Sequence, residues 1–172
     1  MKKYIILLVL TFSTIFVNGT SLRAQTGDFG FGLILIEPLG ATVKYWTASN
    51  QAIDADIGES YFGAPRVDVD YLWHFNSFNS HVALLYGGLG ASFGFGYGYS
   101  YDIIYARDEN GTPFYYRTVN NSFGFGVRML FGLDIFPKRV PFEFFAQIGP
   151  LIGIVPVFGV GFDFAIGARF YP

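Results

Sequence analysis

Between residues 122 and 135 every second position is large and apolar: Phe123, Phe125, Val127, Met129, Phe131, Leu133 and Ile135. The intervening positions are Ser122, Gly124, Gly126, Arg128, Leu130, Gly132 and Asp134. Strand side chains point alternately to opposite faces, so this segment predicts a strand with one greasy face and one small, polar or charged face. Its length exceeds the roughly 5 to 6 residues of an ordinary strand and suits the roughly 9 to 11 residues of a tilted strand crossing a bilayer.

The same alternation predicts seven further strands, over 28–37, 41–48, 52–59, 65–75, 81–97, 142–154 and 159–171. Phe29, Phe31, Leu33 and Leu35 share one face of the first, and Val67, Val69, Tyr71, Trp73 and Phe75 one face of the fourth. In the last, Val160, Phe162, Phe164, Ile166, Ala168 and Phe170 oppose Gly161, Asp163, Ala165, Gly167 and Arg169. Pro150 lacks an N–H for a ladder, so the seventh strand is expected to end or bulge there. Turns are expected at 49–51, 76–80 and 137–140, with one long connection over 97–121. Within it, alternating Tyr101, Ile103 and Tyr105, the turn signal Asn110-Gly111, and then Phe114, Tyr115 and Tyr116 predict a protruding hairpin.

Eight alternating segments predict an all-β fold: an eight-stranded antiparallel up-and-down transmembrane β-barrel, closed so that no edge faces lipid. If the first strand runs outward, the short turns fall on the periplasmic side and 97–121 falls outside, as in bacterial barrels. Trp46, Trp73, Tyr45, Tyr71, Phe75 and Phe142, near strand ends, are candidates for interfacial aromatic girdles.

Composition agrees with this class. Hydrophobic residues make up 52%, charged residues 14%, and there are 21 Phe, 12 Tyr and 22 Gly. The usual charged fraction is about 25%. A net charge of −2 and the lack of a basic stripe argue against a nucleic-acid partner. With no Cys there is neither disulfide nor thiolate chemistry, nor a cysteine for lipid attachment. Lys2 and Lys3 precede an apolar run from Tyr4 to Val17, and Leu22-Arg23-Ala24-Gln25 closes the polar stretch that follows. This predicts a signal peptide over 1–24 and one barrel domain over 25–172, exported to the outer membrane of a Gram-negative bacterium.

With the greasy stripe assigned to lipid, the lumen collects Glu37, Lys44, Asp54, Asp56, Arg66, Asp68, Asp70, His74, Arg128, Asp134, Glu143, Asp163 and Arg169. An eight-stranded barrel is just wide enough for side chains to fill, so the expected lumen is plugged and cross-linked by ion pairs. The alternatives are a narrow ion or proton path, or a cation site at Asp54, Asp56, Asp68 and Asp70.

The signal peptide, the eight alternating strands and the aromatic C-terminal Gly167-Ala168-Arg169-Phe170-Tyr171 resemble the small OmpA-like and OmpX-like outer-membrane barrels. Pro172 departs from the terminal aromatic of that style. Locally, Glu37-Pro38-Leu39-Gly40, Lys44-Tyr45-Trp46, Ala52-Ile53-Asp54 and Asp70-Tyr71-Leu72-Trp73-His74 are similar to a subfamily of small, largely uncharacterised outer-membrane barrels. The resemblance implies location and fold, not an activity.

The expected function is structural or surface recognition, non-catalytic, without cofactor or metal. Its partners are outer-membrane lipids and lipopolysaccharide, and a protein or glycan at the external loop. Candidate contacts there are Tyr101, Tyr105, Arg107, Asp108, Glu109, Tyr115, Tyr116 and Arg117. A closed barrel needs no partner for its edges and is expected to be a monomer. One alternative is a secreted lipocalin-like barrel binding an apolar ligand, with the greasy face inside. Its difficulty is a polar face rich in Gly and poor in Lys and Glu. The other is a lipid-modifying enzyme using His74 or His81 near Ser77 and Ser80.

Overall fold

The computed structural model describes residues 27–80, 82–98, 104–107, 113–116, 120–121, 123–156 and 158–172. Eight long strands close into an antiparallel barrel. They are β1 (Phe29–Ile36), β2 (Leu39–Ala48), β3 (Gln51–Ser60), β4 (Gly63–Phe75), β5 (Ala83–Gly94), β10 (Gly124–Ile135), β11 (Phe142–Val155) and β12 (Gly159–Phe170). Among the described residues four short strands lie between β5 and β10: β6 (Tyr97–Gly98), β7 (Ile104–Arg107), β8 (Pro113–Tyr116) and β9 (Asn120–Asn121). Around the barrel each strand pairs with its sequence neighbour, and β1 closes on β12 with Phe31 opposite Phe170 and Ile34 opposite Gly167.

The sequence predicts both the class and the count of barrel strands. Every inward position of β10 except the glycine at 132 is buried, and its outward Val127, Met129, Phe131 and Ile135 are exposed. Within the long connection the described residues pair as a hairpin would, β6 with β9 and β7 with β8. Pro113 opens β8 opposite Arg107, a strand-end position that needs no donated hydrogen bond.

Two expectations fail. The seventh strand does not stop at Pro150: β11 runs unbroken to Val155, with Pro150 opposite Phe162 of β12. Its pairing with β10 passes from Phe131–Ile148 to Arg128–Leu151 without a change of register. The missing N–H therefore costs local pairing on one side only. Conversely, β5 ends at Gly94, short of 97. There Gly96 takes φ 73°, a left-handed conformation suited to glycine, and forms an isolated bridge with Ala64.

The barrel has two unlike rims. Gly27, Tyr171, and the connecting residues 49–50, 76–80, 82 and 136–141 form one, here the termini rim. The turns 37–38 and 61–62, residues 156 and 158, and the short strands of the hairpin form the other, the hairpin rim.

Candidate functional site

Side chains on the inward face meet in the lumen, and the charged ones form two hydrogen-bonded groups. Nearer the hairpin rim, Arg128 of β10 lies among three aspartates of the facing wall. Its Nη1 donates to Asp68 at 2.8 Å, its Nη2 to Asp56 at 3.0 Å, and its Nε to Asp70 at 2.8 Å. Arg66 donates from Nε to Asp68 at 2.8 Å and from Nη2 to Asp163 at 2.5 Å. It also approaches Glu37 at 3.7 Å. The hydroxyl of Tyr61, in the turn between β3 and β4, donates to Asp163 at 2.8 Å.

Nearer the termini rim, Arg169 of β12 donates to Asp54 at 2.6 Å, to Glu143 at 2.6 Å and to Thr42 at 2.9 Å. Lys44 lies 2.5 Å from Asp134 and 3.2 Å from Glu143. His74 Nε2 is 2.9 Å from the same Asp134. Tyr171 donates to Glu143, and Trp46 Nε1 donates to Tyr171.

Each group reads differently in charge. Around Arg66 and Arg128 stand Asp56, Asp68, Asp70, Asp163 and Glu37, an excess of acid. Around Lys44 and Arg169 stand Asp54, Asp134 and Glu143, a smaller excess, with the His74 ring beside Asp134. Apart from Glu37, whose side chain is 21% exposed, the predicted lumen residues are buried. The structure therefore brings twelve of the thirteen together on one face, with Glu37 at its edge in the turn between β1 and β2.

A hydrophobic cluster of Trp46, Ala52, Leu72, Leu84, Tyr86, Leu130, Phe136 and Tyr171 fills the lumen at the termini rim. Trp46 corrects the girdle expectation. Its indole packs inside at 4.3 Å from the His74 ring, with Lys44 Nζ 4.7 Å above it. Alternation puts Trp46 on the same face as Lys44, and that face outweighs its position near a strand end. Tyr45 and Phe142 do face outward, 50% and 41% exposed.

Glycines make the room these side chains use. A Cβ at Gly132 would lie 2.2 Å from the Tyr86 ring, and one at Gly90 would lie 1.9 Å from Asp70 Oδ1. Tyr61, Thr42 and Tyr171 join the network without having been singled out from the sequence. Thr42 was detectable by its alternation with Lys44, whereas a turn tyrosine such as Tyr61 carries no such signal.

At the hairpin rim two groups depart from their ordinary acidity. Burial raises Glu37 above the usual carboxylate value, against the Ser60 and Tyr61 hydrogen bonds and the Arg66 charge. Burial, then the negative charge of Asp163, raises the Tyr61 hydroxyl.

Among the remaining candidates, Tyr101, Asp108, Glu109 and Arg117 lie outside the described residues, as do His81 and the segment 1–24. Tyr105, Arg107, Tyr115 and Tyr116 are placed by backbone on β7 and β8. The Ser80 hydroxyl accepts from the Val82 and Ala83 N–H groups, which closes its own turn. Among the described residues no group of His, Asp and Glu side chains has the arrangement of a metal site.

In comparisons with known proteins, no family model, no curated protein and no solved structure matches this chain.

Proposed function

We propose that the chain is a small OmpA/OmpX-like outer-membrane barrel that acts as a rigid, non-catalytic scaffold and presents its hairpin for recognition at the cell surface. The observation that carries the reading is the inversion of the usual core. Fifteen polar or charged side chains are buried in the lumen, while Leu33, Val160 and Phe162 stand 64%, 65% and 69% exposed on the outer wall. Exposed apolar area on this scale is costly in water, at about 25 cal/mol per Å², and favourable in hydrocarbon. A secreted barrel with a greasy interior needs the opposite sorting.

Strand length supports the same environment. The 12 residues of β10, at about 3.3 Å each and a tilt of about 40°, rise about 30 Å, enough for an apolar band of roughly 25 Å. In this reading a signal peptide over 1–24 directs export, the termini rim is periplasmic, and the hairpin rim is external. The interlocked lumen leaves the external hairpin as the surface for recognition, with outer-membrane lipids and lipopolysaccharide around the wall and a protein or glycan as its ligand. No nucleic acid, metal or cofactor is required, and a monomer suffices.

The test is fractionation of cells, followed by electrophoresis with and without heating. Enrichment in the outer membrane with a heat-dependent mobility shift supports the reading. A soluble protein without a shift refutes it. Deleting 101–117 is expected to leave the shift intact and to abolish binding to the cell-surface ligand; binding that survives moves recognition elsewhere.

A further inference from the structure

The described lumen is lined by buried charged side chains and filled at the termini rim by a hydrophobic cluster, which turns the search for an apolar site to the outer wall. One lies there. On β5 the outward stripe runs Leu85, Gly87, Leu89, and the glycine interrupts it. A groove of about 1250 Å³ opens over this gap, walled by Trp73 and Phe75 of β4, Met129 and Phe131 of β10, and Ile148 of β11. That exceeds the roughly 300–1,000 Å³ of sites for small drug-like ligands and suits a longer chain. From Leu85 to Leu89 it follows about 13 Å of strand.

The groove is amphipathic along its length. Its inner end is apolar, and its mouth at the termini rim carries the amides of Asn50, Gln51 and Asn76 with the hydroxyl-bearing Ser77. Tyr71 fixes the Gln51 side chain by a 2.6 Å hydrogen bond. On the same rim, the turn joining β10 and β11, two of the groove's strands, exposes Lys138 and Arg139. Every other base among the residues whose side chains are described is buried in the lumen. Lys138 and Arg139 do not line the groove; they stand on the rim at which its amide-bearing mouth opens.

Resting on the membrane reading above, we infer that this groove is a binding site for one glycerophospholipid of the leaflet at the termini rim. An acyl chain lies over Gly87, and the phosphate is held at the rim by Lys138 and Arg139. Lipopolysaccharide, whose phosphates lie in the opposite leaflet, is the wrong occupant for a groove whose cations are at this end.

Trp73 lines the groove and the chain's other tryptophan, Trp46, is buried inside, so fluorescence reports occupancy. The full chain, folded in detergent micelles, is titrated with phosphatidylglycerol brominated on one acyl chain. Quenching is expected to saturate near one lipid per protein. Gly87→Leu fills the groove: a Cβ there meets nothing closer than 3.8 Å, so the barrel tolerates the substitution. It is expected to raise the lipid needed by at least about tenfold, equivalent to about 1.4 kcal/mol. Lys138→Ala/Arg139→Ala is expected to remove the preference for phosphatidylglycerol over brominated phosphatidylcholine.

Quenching that follows bulk lipid fraction equally in wild type and Gly87→Leu overturns the site, as does equal or better displacement by lipopolysaccharide. The heat-dependent mobility shift is read on the same samples. A barrel that keeps its shift but shows no saturable quenching refutes the groove alone, whereas loss of outer-membrane insertion in cells refutes the membrane reading beneath it.

Discussion

Arg128→Met removes the cation shared by Asp56, Asp68 and Asp70 and nearly preserves side-chain volume. Asp68 keeps a partner, because Arg66 Nε still donates to it at 2.8 Å. Asp56 and Asp70 lose the only ion-pair partner they have among the described residues, in a lumen where both are at most 2% exposed. Breaking a buried pair from one side costs about 3–5 kcal/mol, since the surviving charge keeps its desolvation penalty. With a urea slope of about 2 kcal/mol/M, the unfolding midpoint should fall by about 1.5–2.5 M.

The assay is urea unfolding of the barrel in detergent, followed by tryptophan fluorescence and checked by the gel shift. The companion variant, Asp70→Asn in the Arg128→Met background, removes one orphaned charge. It should recover more than about 1 kcal/mol if the penalty is electrostatic, a coupling within the usual 0.5–3 kcal/mol for contacting residues. A loss below about 1 kcal/mol for Arg128→Met, with no recovery in the double variant, would refute the reasoning. The carboxylates would then be solvated by continuous water, and the lumen would be an aqueous path rather than a packed core.

Three further outcomes follow from the geometry. Gly132→Ala places a methyl against the Tyr86 ring and should destabilise by about 1–3 kcal/mol, whereas Gly87→Ala should change stability little; urea midpoints compare the two. Trp46→Ala empties the plug at the termini rim and should cost about 3–5 kcal/mol; any single-channel conductance in planar bilayers should rise above that of wild type, and an unchanged conductance would locate the barrier in the ion-pair groups instead. Glu37 is raised in the folded state, so its share of stability is greatest below pH 4.5 and falls as pH rises through the raised value; Glu37→Gln should flatten that part of the stability profile while keeping the acceptor for the Tyr61 N–H.

Alternation was enough to assign faces because its period is an intrinsic property of the strand. Arg128, Asp134 and Asp163 could be placed inside from their neighbours alone. Alternation does not assign partners. Arg128 meets Asp56 across the lumen at a separation of 72 residues, a contact fixed by closure and by the register of every intervening strand. Pro150 misled because the rule concerns donors on both sides of a strand, and the β12 ladder continues where the β10 ladder pauses. Trp46 misled because proximity to a strand end was weighed above its face. The outer groove was legible only as a gap, the missing large residue between Leu85 and Leu89, and a gap shows its meaning once the flanking strands are known.

The register of β3 against β4 poses a local problem whose solution lies across the barrel. Asp54 stands directly opposite Asp70, and Asp56 opposite Asp68. Like charges facing each other across a ladder are destabilising, so an isolated β3–β4 hairpin gains nothing from this alignment. A slip by two residues would keep every apolar side chain on the outer wall, so the greasy stripe does not forbid it; only a slip by one reverses the faces. What makes the native register tenable is Arg128 from β10, reaching Asp56, Asp68 and Asp70, and Arg169 from β12, reaching Asp54. Arg169 is brought into place by the strand that closes on β1. The alignment of the third and fourth strands is therefore stabilised by the last, and the lumen charges couple hairpin register to barrel closure. In a wall whose outer face is apolar at every register, that coupling selects one barrel among the several that the alternation alone permits.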